Sequence, residues 1–291
     1  MNKNVLVIGG AGFIGSNLCE KLQENGMNVY SLDNYFTGTK KNHHKGIKYF
    51  VGNSNDINDI NFKVKFSLIY HFGEYSRVEQ SFEDIDKVFE FNNDSIYNVL
   101  KFAKIQKAKI VYSGSSTKFG DEGKNSFQSP YAWTKKTNSE LVQIYSDWFN
   151  LKYCIVYFYN VYGANEISEG KYATVIAKYL SLYKSGKRKL PVVKPGNQLR
   201  NFTHIKDIIS ALILIGKKGF GDGYGIANDK QYSIVKIAEL FGCTIEWLHP
   251  RKGNRMNAEV VSKKTKELGW KPKYNLEDYI SKTLAEMNDK T

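Results

Sequence analysis

Val5-Leu6-Val7-Ile8, followed at once by Gly9-Gly10-Ala11-Gly12-Phe13-Ile14-Gly15, leaves this chain few folds to choose from. Four consecutive branched or aliphatic residues predict a strand covered on both faces, as in a parallel sheet. The glycines supply a tight turn and a surface bare of side chains, after which Leu18 and Leu22 recur at helical spacing. Strand, bare turn and helix N-terminus together make an anion seat, because unpaired amides and the positive end of the helix dipole face one point. The next predicted strand, Val29-Tyr30-Ser31-Leu32-Asp33, ends in a carboxylate 18 residues beyond Gly15. That is where an acid bonds the adenosine ribose of a bound dinucleotide. Its charge repels a ribose 2′-phosphate, so NAD is the expected cofactor, contacted by Gly9, Gly12, Phe13, Ile14, Gly15 and Asp33.

Composition narrows the class further. At 291 residues and 42% hydrophobic content the chain can build one large domain or two small ones, and a mean hydropathy of −0.45 argues against a membrane protein. No apolar run is long enough to span a bilayer, and Met1-Asn2-Lys3-Asn4 leads straight into the first strand without an apolar signal region. A cytoplasmic protein is expected. Three distant cysteines and five histidines show no metal-ligand spacing. The net charge of +13 raises nucleic acid as a partner. The lysines are scattered, however, and a positive field equally suits a phosphate-rich small ligand, so nucleic acid is set aside.

Strand and helix patterns alternate along the first half. Strands are predicted at 47–51, 67–72, 109–112 and 153–157, with long helices over Val88–Ile105 and Ala132–Trp148. This is an α/β chain, a doubly wound parallel (Rossmann) sheet. Ligands collect at the carboxyl ends of such strands. Asn34 and Gly38 follow the second strand; Asn53 and Ser54 follow the third, where adenine should lie; Phe72, Gly73 and Glu74 follow the fourth; Phe158 follows the sixth. All are expected to line the cofactor. The second half is less regular and shows no linker, which predicts a smaller C-terminal substrate domain interleaved with the first. The expected division is 1–163 plus about 200–227 for NAD, and about 164–199 plus 228–291 for substrate.

Tyr131-Ala132-Trp133-Thr134-Lys135 carries the chemistry. Tyr131 and Lys135 lie one above the other on a helix. A phenol ordinarily ionises near pH ~10, but a neighbouring ammonium and the positive nicotinamide ring favour phenolate. Such a group can take a proton from a sugar or alcohol hydroxyl while the carbon gives hydride to NAD, and Lys135 can also reach the nicotinamide ribose. Ser115, at the end of the fifth strand, can bond the reacting oxygen. Its alternative is a turn or cap residue.

These residues, with Ser76-Arg77-Val78, Phe119-Gly120-Asp121, Ser129-Pro130-Tyr131, Tyr159-Asn160-Val161-Tyr162-Gly163, Arg200-Asn201-Phe202-Thr203 and Leu268-Gly269-Trp270, occur in one order along nearly the whole chain. In this the chain resembles the extended short-chain dehydrogenase/reductase family, in its nucleotide-sugar epimerase/dehydratase branch. The resemblance implies tightly held NAD and a nucleotide-diphosphate sugar as substrate. It also implies a homodimer built from the two long helices of each subunit, and a place in polysaccharide biosynthesis. It assigns catalysis to Ser115, Tyr131 and Lys135. Substrate contacts fall to Ser76, Arg77, Ser115, Ser116 and Asn160, with Arg200 and Arg251 on the phosphates, where a guanidinium fits best.

Departures from the family pattern sharpen the expectation. Dehydratases of this branch carry Asp-Glu after the threonine at the catalytic strand end, whereas this chain reads Ser115-Ser116-Thr117-Lys118, which argues against dehydration. Gly52-Asn53 replaces the usual Gly-Asp. Glu74 stands where a small apolar residue is typical, and is expected either to contact substrate or to bond a backbone amide. Only Glu122 to Ser129 separates Asp121 from Pro130, which predicts an open sugar pocket. The expected reaction is NAD-dependent oxidation at C4, completed as a 4-epimerisation. The alternative is a 4-dehydrogenase of a hexose or heptose that releases the ketone. The rival of another class is a non-catalytic redox sensor or RNA-binding protein of the same fold.

Overall fold

In a computed structural model describing residues 3–120, 127–250, 256 and 259–289, the buried run is a strand of a seven-stranded parallel sheet. The chain runs β1 (Asn4–Ile8), α1 (Phe13–Glu24), β2 (Asn28–Asp33), β3 (Lys48–Val51) and β4 (Leu68–His71). It continues through a short α2 (Ile85–Val88), a π-helical turn (Phe89–Asp94), α3 (Ser95–Gln106), β5 (Lys109–Ser113), α4 (Pro130–Phe149) and β6 (Tyr153–Phe158). There follow β7 (Val161–Tyr162), α5 (Val175–Lys184), β8 (Lys189–Val193), β9 (Leu199–Asn201), β10 (Thr203–His204), α6 (Ile205–Lys218) and β11 (Gly221–Ile226). The last elements are β12 (Gln231–Ser233), α7 (Ile234–Leu240), β13 (Thr244–Leu248), α8 (Lys263–Glu267) and α9 (Leu276–Asn288).

The large sheet is ordered β11-β6-β5-β4-β1-β2-β3. Its layers explain the unbroken apolar run of β1. Val5 and Val7 pack with Leu18 and Leu22 of α1 and Ile208 and Leu212 of α6. Leu6 and Ile8 face the other way, toward Ile96, Val99 and Leu100 of α3 and Val142 and Tyr145 of α4. Strand order reverses between β1 and β4, so the exits of these two strands open the crevice where α/β sheets bind ligands. A third core, with Tyr179, Leu190, Val192, Tyr232, Ile237, Phe241 and Ile280, gathers α5, β8, α7 and α9 beside that crevice.

Two elements differ from the sequence reading. The single helix predicted over Val88–Ile105 is α2, a π turn and α3. Asn92 in that turn is buried; its Oδ1 accepts from Tyr75 N at 2.7 Å and its Nδ2 donates to Thr134 Oγ1 at 2.9 Å. The extra residue per turn aims Asn92 at both, and π bulges of this kind gather at functional sites. β11 was not anticipated as a strand: Gly221-Asp222-Gly223-Tyr224-Gly225-Ile226 holds three glycines, yet it pairs with β6 as the sheet's seventh strand.

Candidate active site

The strand exits converge on a cavity of about 830 Å³. At one end lies the glycine turn. Gly9 has φ +83°, and a Cβ there would lie 2.7 Å from Gly73 N, so the exits of β1 and β4 touch only because both are bare. Gly12 precedes the first turn of α1, with no side-chain cap on that helix. Its φ is −80° and its missing Cβ opens toward nothing closer than Gly9 O at 3.3 Å. Asp33 Oδ2 accepts from Ala11 N and Oδ1 from Tyr35 N, both at 2.8 Å, which fixes the carboxylate on the cavity wall. Burial raises its pKa against the pull of these amides.

This end fits a dinucleotide on its own geometry. Bare backbone at a helix N-terminus receives a pyrophosphate, and an oriented carboxylate receives ribose hydroxyls. Gly9, Gly12, Phe13, Ile14, Gly15, Asp33, Asn34, Phe72, Gly73, Glu74, Tyr131, Lys135 and Phe158 all line the cavity. Gly38, Asn53 and Ser54, expected to line the cofactor, are not among the residues that line the cavity. A Cβ on Gly38 would lie 2.7 Å from Asp33 Oδ1, so Gly38 makes room for the acid. Asn53 Oδ1 accepts from Asn34 Nδ2 at 2.9 Å, and Ser54 is buried in a short helical turn.

The catalytic candidates Ser115, Tyr131 and Lys135 line the same cavity. Ser129 caps α4 by accepting from Ala132 N at 3.1 Å, and Pro130 occupies the first turn, where its missing N–H costs nothing. The helix therefore starts at Tyr131's doorstep, and Lys135 follows one turn on. Ser115 lines the cavity and also caps a turn. Its Oγ accepts from Thr117 N at 3.2 Å and from Thr117 Oγ1 at 2.9 Å, capping a short turn.

Glu74 lines the cavity and bonds side chains rather than a backbone amide. Its buried carboxylate pairs with Lys135 Nζ, which also donates to Ser113 O. Tyr112 Oη donates to Glu74 Oε2 at 2.9 Å and Asn138 Nδ2 to Oε1 at 3.2 Å. His71 Nε2 lies 3.6 Å from Oε1. Burial pushes the His71 imidazole down to about 4, so it is neutral at neutral pH.

Ser76, Arg77, Ser116, Asn160 and Arg200 also line the cavity. Arg77 donates to Tyr172 O through Nε at 3.0 Å and Nη2 at 2.6 Å. Asn160 is held at φ +33° with its amide on Asn201 O at 2.9 Å. Arg251 and most of the connection from Asp121 to Pro130 lie outside the described residues. Sequence reasoning missed Glu166, a cavity-lining acid that accepts from Gly163 N at 3.2 Å and from Thr174 Oγ1. Burial pushes it up to about 7. It also missed Phe36, which packs among Tyr75, Phe91 and Tyr172. No local pattern marks either residue.

The chain resembles known proteins over nearly its whole length. A family model described as the NAD dependent epimerase/dehydratase family matches residues 5–227. Human dTDP-D-glucose 4,6-dehydratase is 29% identical over 319 residues, covering 97% of this chain and 89% of its own. Arabidopsis thaliana UDP-glucuronic acid decarboxylase 3 is 28% identical over 302 residues, covering 95% and 86%. The UDP-glucose 4-epimerase of Thermus thermophilus, solved with NAD, superposes with a TM-score of 0.87 at 25% identity, covering 99% of this chain and all of that one.

Proposed function

From the premise that this chain belongs to the NAD-dependent epimerase/dehydratase family, we propose that it oxidises C4 of a nucleotide-diphosphate sugar and completes a 4-epimerisation. The observation that carries the reading is the meeting of Ser115, Tyr131 and Lys135 on the wall of the cavity that also holds the glycine turn and Asp33. NAD, when bound, supplies the hydride acceptor for the sugar carbon. Tyr131 takes the proton from O4 as the carbon becomes a ketone, and gives it back when the ketone is reduced from its other face. Ser115 donates its proton to the same oxygen and steadies it through both half-reactions. Arg77, Ser116, Asn160 and Arg200 orient the sugar and its phosphates, with Arg251 as a further phosphate ligand. No carboxylate pair follows Thr117, so the elimination chemistry of a dehydratase lacks its acid and base.

Release of the ketone is the second reading, a 4-dehydrogenase. It is favoured by the charged Glu74 at the cofactor end, where the family pattern has a small apolar residue. Mass spectrometry of ligands that co-purify with the protein identifies the sugar. NMR of the product mixture then decides: an epimer pair without accumulating NADH supports the first reading, and a stable ketone with stoichiometric NADH supports the second. Full turnover by Tyr131→Phe overturns both.

The same reading includes a homodimer. Tyr97 and Ile105 of α3 and Ile144, Trp148 and Phe149 of α4 are exposed large apolar residues on adjacent helices, and such patches mark association surfaces.

A further inference from the structure

Residues 163–174 join β7 to α5 as a loop whose neck is clamped. Glu166 accepts from Gly163 N at one end and from Thr174 Oγ1 at the other, and Thr174 N donates to Ile167 O at 3.0 Å. A loop with its ends held together in this way is a compact unit of its own. None of residues 164–174 enters the three apolar cores. The loop is held instead at its two flanks, by hydrogen bonds and ring contacts, and segments held so lightly are the ones that open first.

Both flanks lie at the cofactor end. One sits on the N-terminus of α1, directly beyond the glycine turn: Asn17 Nδ2 donates to Ala164 O at 3.0 Å and Asn165 Nδ2 to Ser16 Oγ at 3.1 Å. The other sits on the segment that follows β4. Arg77 holds Tyr172 O through two N–H groups, and Gln80 Nε2 donates to Lys171 O at 2.9 Å. Asp84 accepts from Lys171 Nζ and Tyr172 Oη. The Tyr172 ring centre is 5.4 Å from that of Phe36, in the loop that leaves Asp33. Between the flanks Glu166, Ile167, Gly170 and Lys171 line the same cavity as Gly12, Gly15 and Asp33.

We propose that residues 163–174 are a strap that fastens over seated NAD and sets how fast the cofactor enters and leaves. The strap keeps one NAD through successive turnovers. A cofactor that stays must be reoxidised where it sits, which suits a reaction that returns its hydride to the sugar. The inference rests on the NAD seat at the glycine turn and Asp33, and is independent of Tyr131 as the base.

The test is NAD exchange on the whole protein. Exit is read by chasing radiolabelled NAD with excess unlabelled NAD, and entry is the exit rate divided by Kd from calorimetry. Asp84→Ala unfastens one flank, and both rates should rise at least about tenfold, as expected for lost hydrogen bonds to a charged group, while Kd moves far less. Asn165→Gly unfastens the other flank and keeps the left-handed backbone there, at φ +67°; both rates should rise in it too. An unchanged entry rate in either folded variant overturns the proposal, even where exit is faster, since faster exit alone is the mark of a lost contact with NAD. Should Asp84→Ala fail to fold, Asn165→Gly decides by the same criterion. Turnover is no part of the readout, so this test and the test of the C4 reaction fail separately.

Discussion

Gly15 has no room for a side chain because Gly9 stands against it: a Cβ on Gly15 would lie 2.0 Å from the Gly9 carbonyl oxygen. The contact locks the first turn of α1 onto the exit of β1. Gly15→Ala must push the two apart, and should lower the melting temperature and abolish NAD binding by calorimetry. Gly12→Ala is the contrast, with φ −80° and 3.3 Å to its nearest neighbour. It should fold with a melting temperature close to the parent's, yet bind NAD at least about tenfold more weakly, a cost of about 1.4 kcal/mol.

Glu166 makes stability depend on pH. Its folded pKa, about 7, lies above the ordinary 4.5, so the native state holds a proton that the unfolded state releases. Stability is therefore lost as pH rises from about 4.5 through 7. Glu166→Gln removes that loss while keeping both hydrogen bonds, since its carbonyl accepts from Gly163 N and its amide donates to Thr174 Oγ1. Thermal melts should show the variant more stable than the parent at pH 8 and no different at pH 4.

Asp84 latches the loop that carries Arg77's anchor. It accepts from Tyr172 Oη at 2.6 Å, Tyr75 Oη at 2.8 Å and Lys171 Nζ at 2.9 Å. The Tyr172 hydrogen bond leads in holding its carboxyl down to about 2. Asp84→Ala should free Lys171, and limited trypsin digestion should cut there several-fold faster than in the parent.

Trp148 is 68% exposed and Ile144, one turn before it, 46%. In a dimer built on α3 and α4 both are covered. Trp148→Glu places a charge in that interface, and light scattering after gel filtration should move from dimer to monomer mass. A parent already at monomer mass removes the dimer reading.

Much of the cofactor end was legible in the sequence because its causes are local. An apolar run, a glycine turn and a strand-terminal acid each act within a few residues of themselves. The Tyr131–Lys135 pair was legible for the same reason, one helical turn apart. What escaped depends on contacts between distant segments. Glu74 is unusual in the sequence, yet its partner lies 61 residues away and nothing local names it. The π turn exists because Asn92 meets Tyr75 and Thr134, and the helical pattern of Val88–Ile105 carries no trace of either. β11 is a strand by virtue of its partner β6, since glycine is a poor strand former.

The late arrival of β11 has a consequence for synthesis. The sheet is complete only when Gly221–Ile226 has left the ribosome and docked on β6. By then the chain has already passed through β7, α5, β8, β9, β10 and α6. Until that moment β6 presents an unpaired, apolar parallel edge, the kind of surface that recruits a second nascent chain. A stop codon placed after β6 would not release a smaller, working cofactor module. It would release a sheet with its flank open, and such a fragment should collect in inclusion bodies.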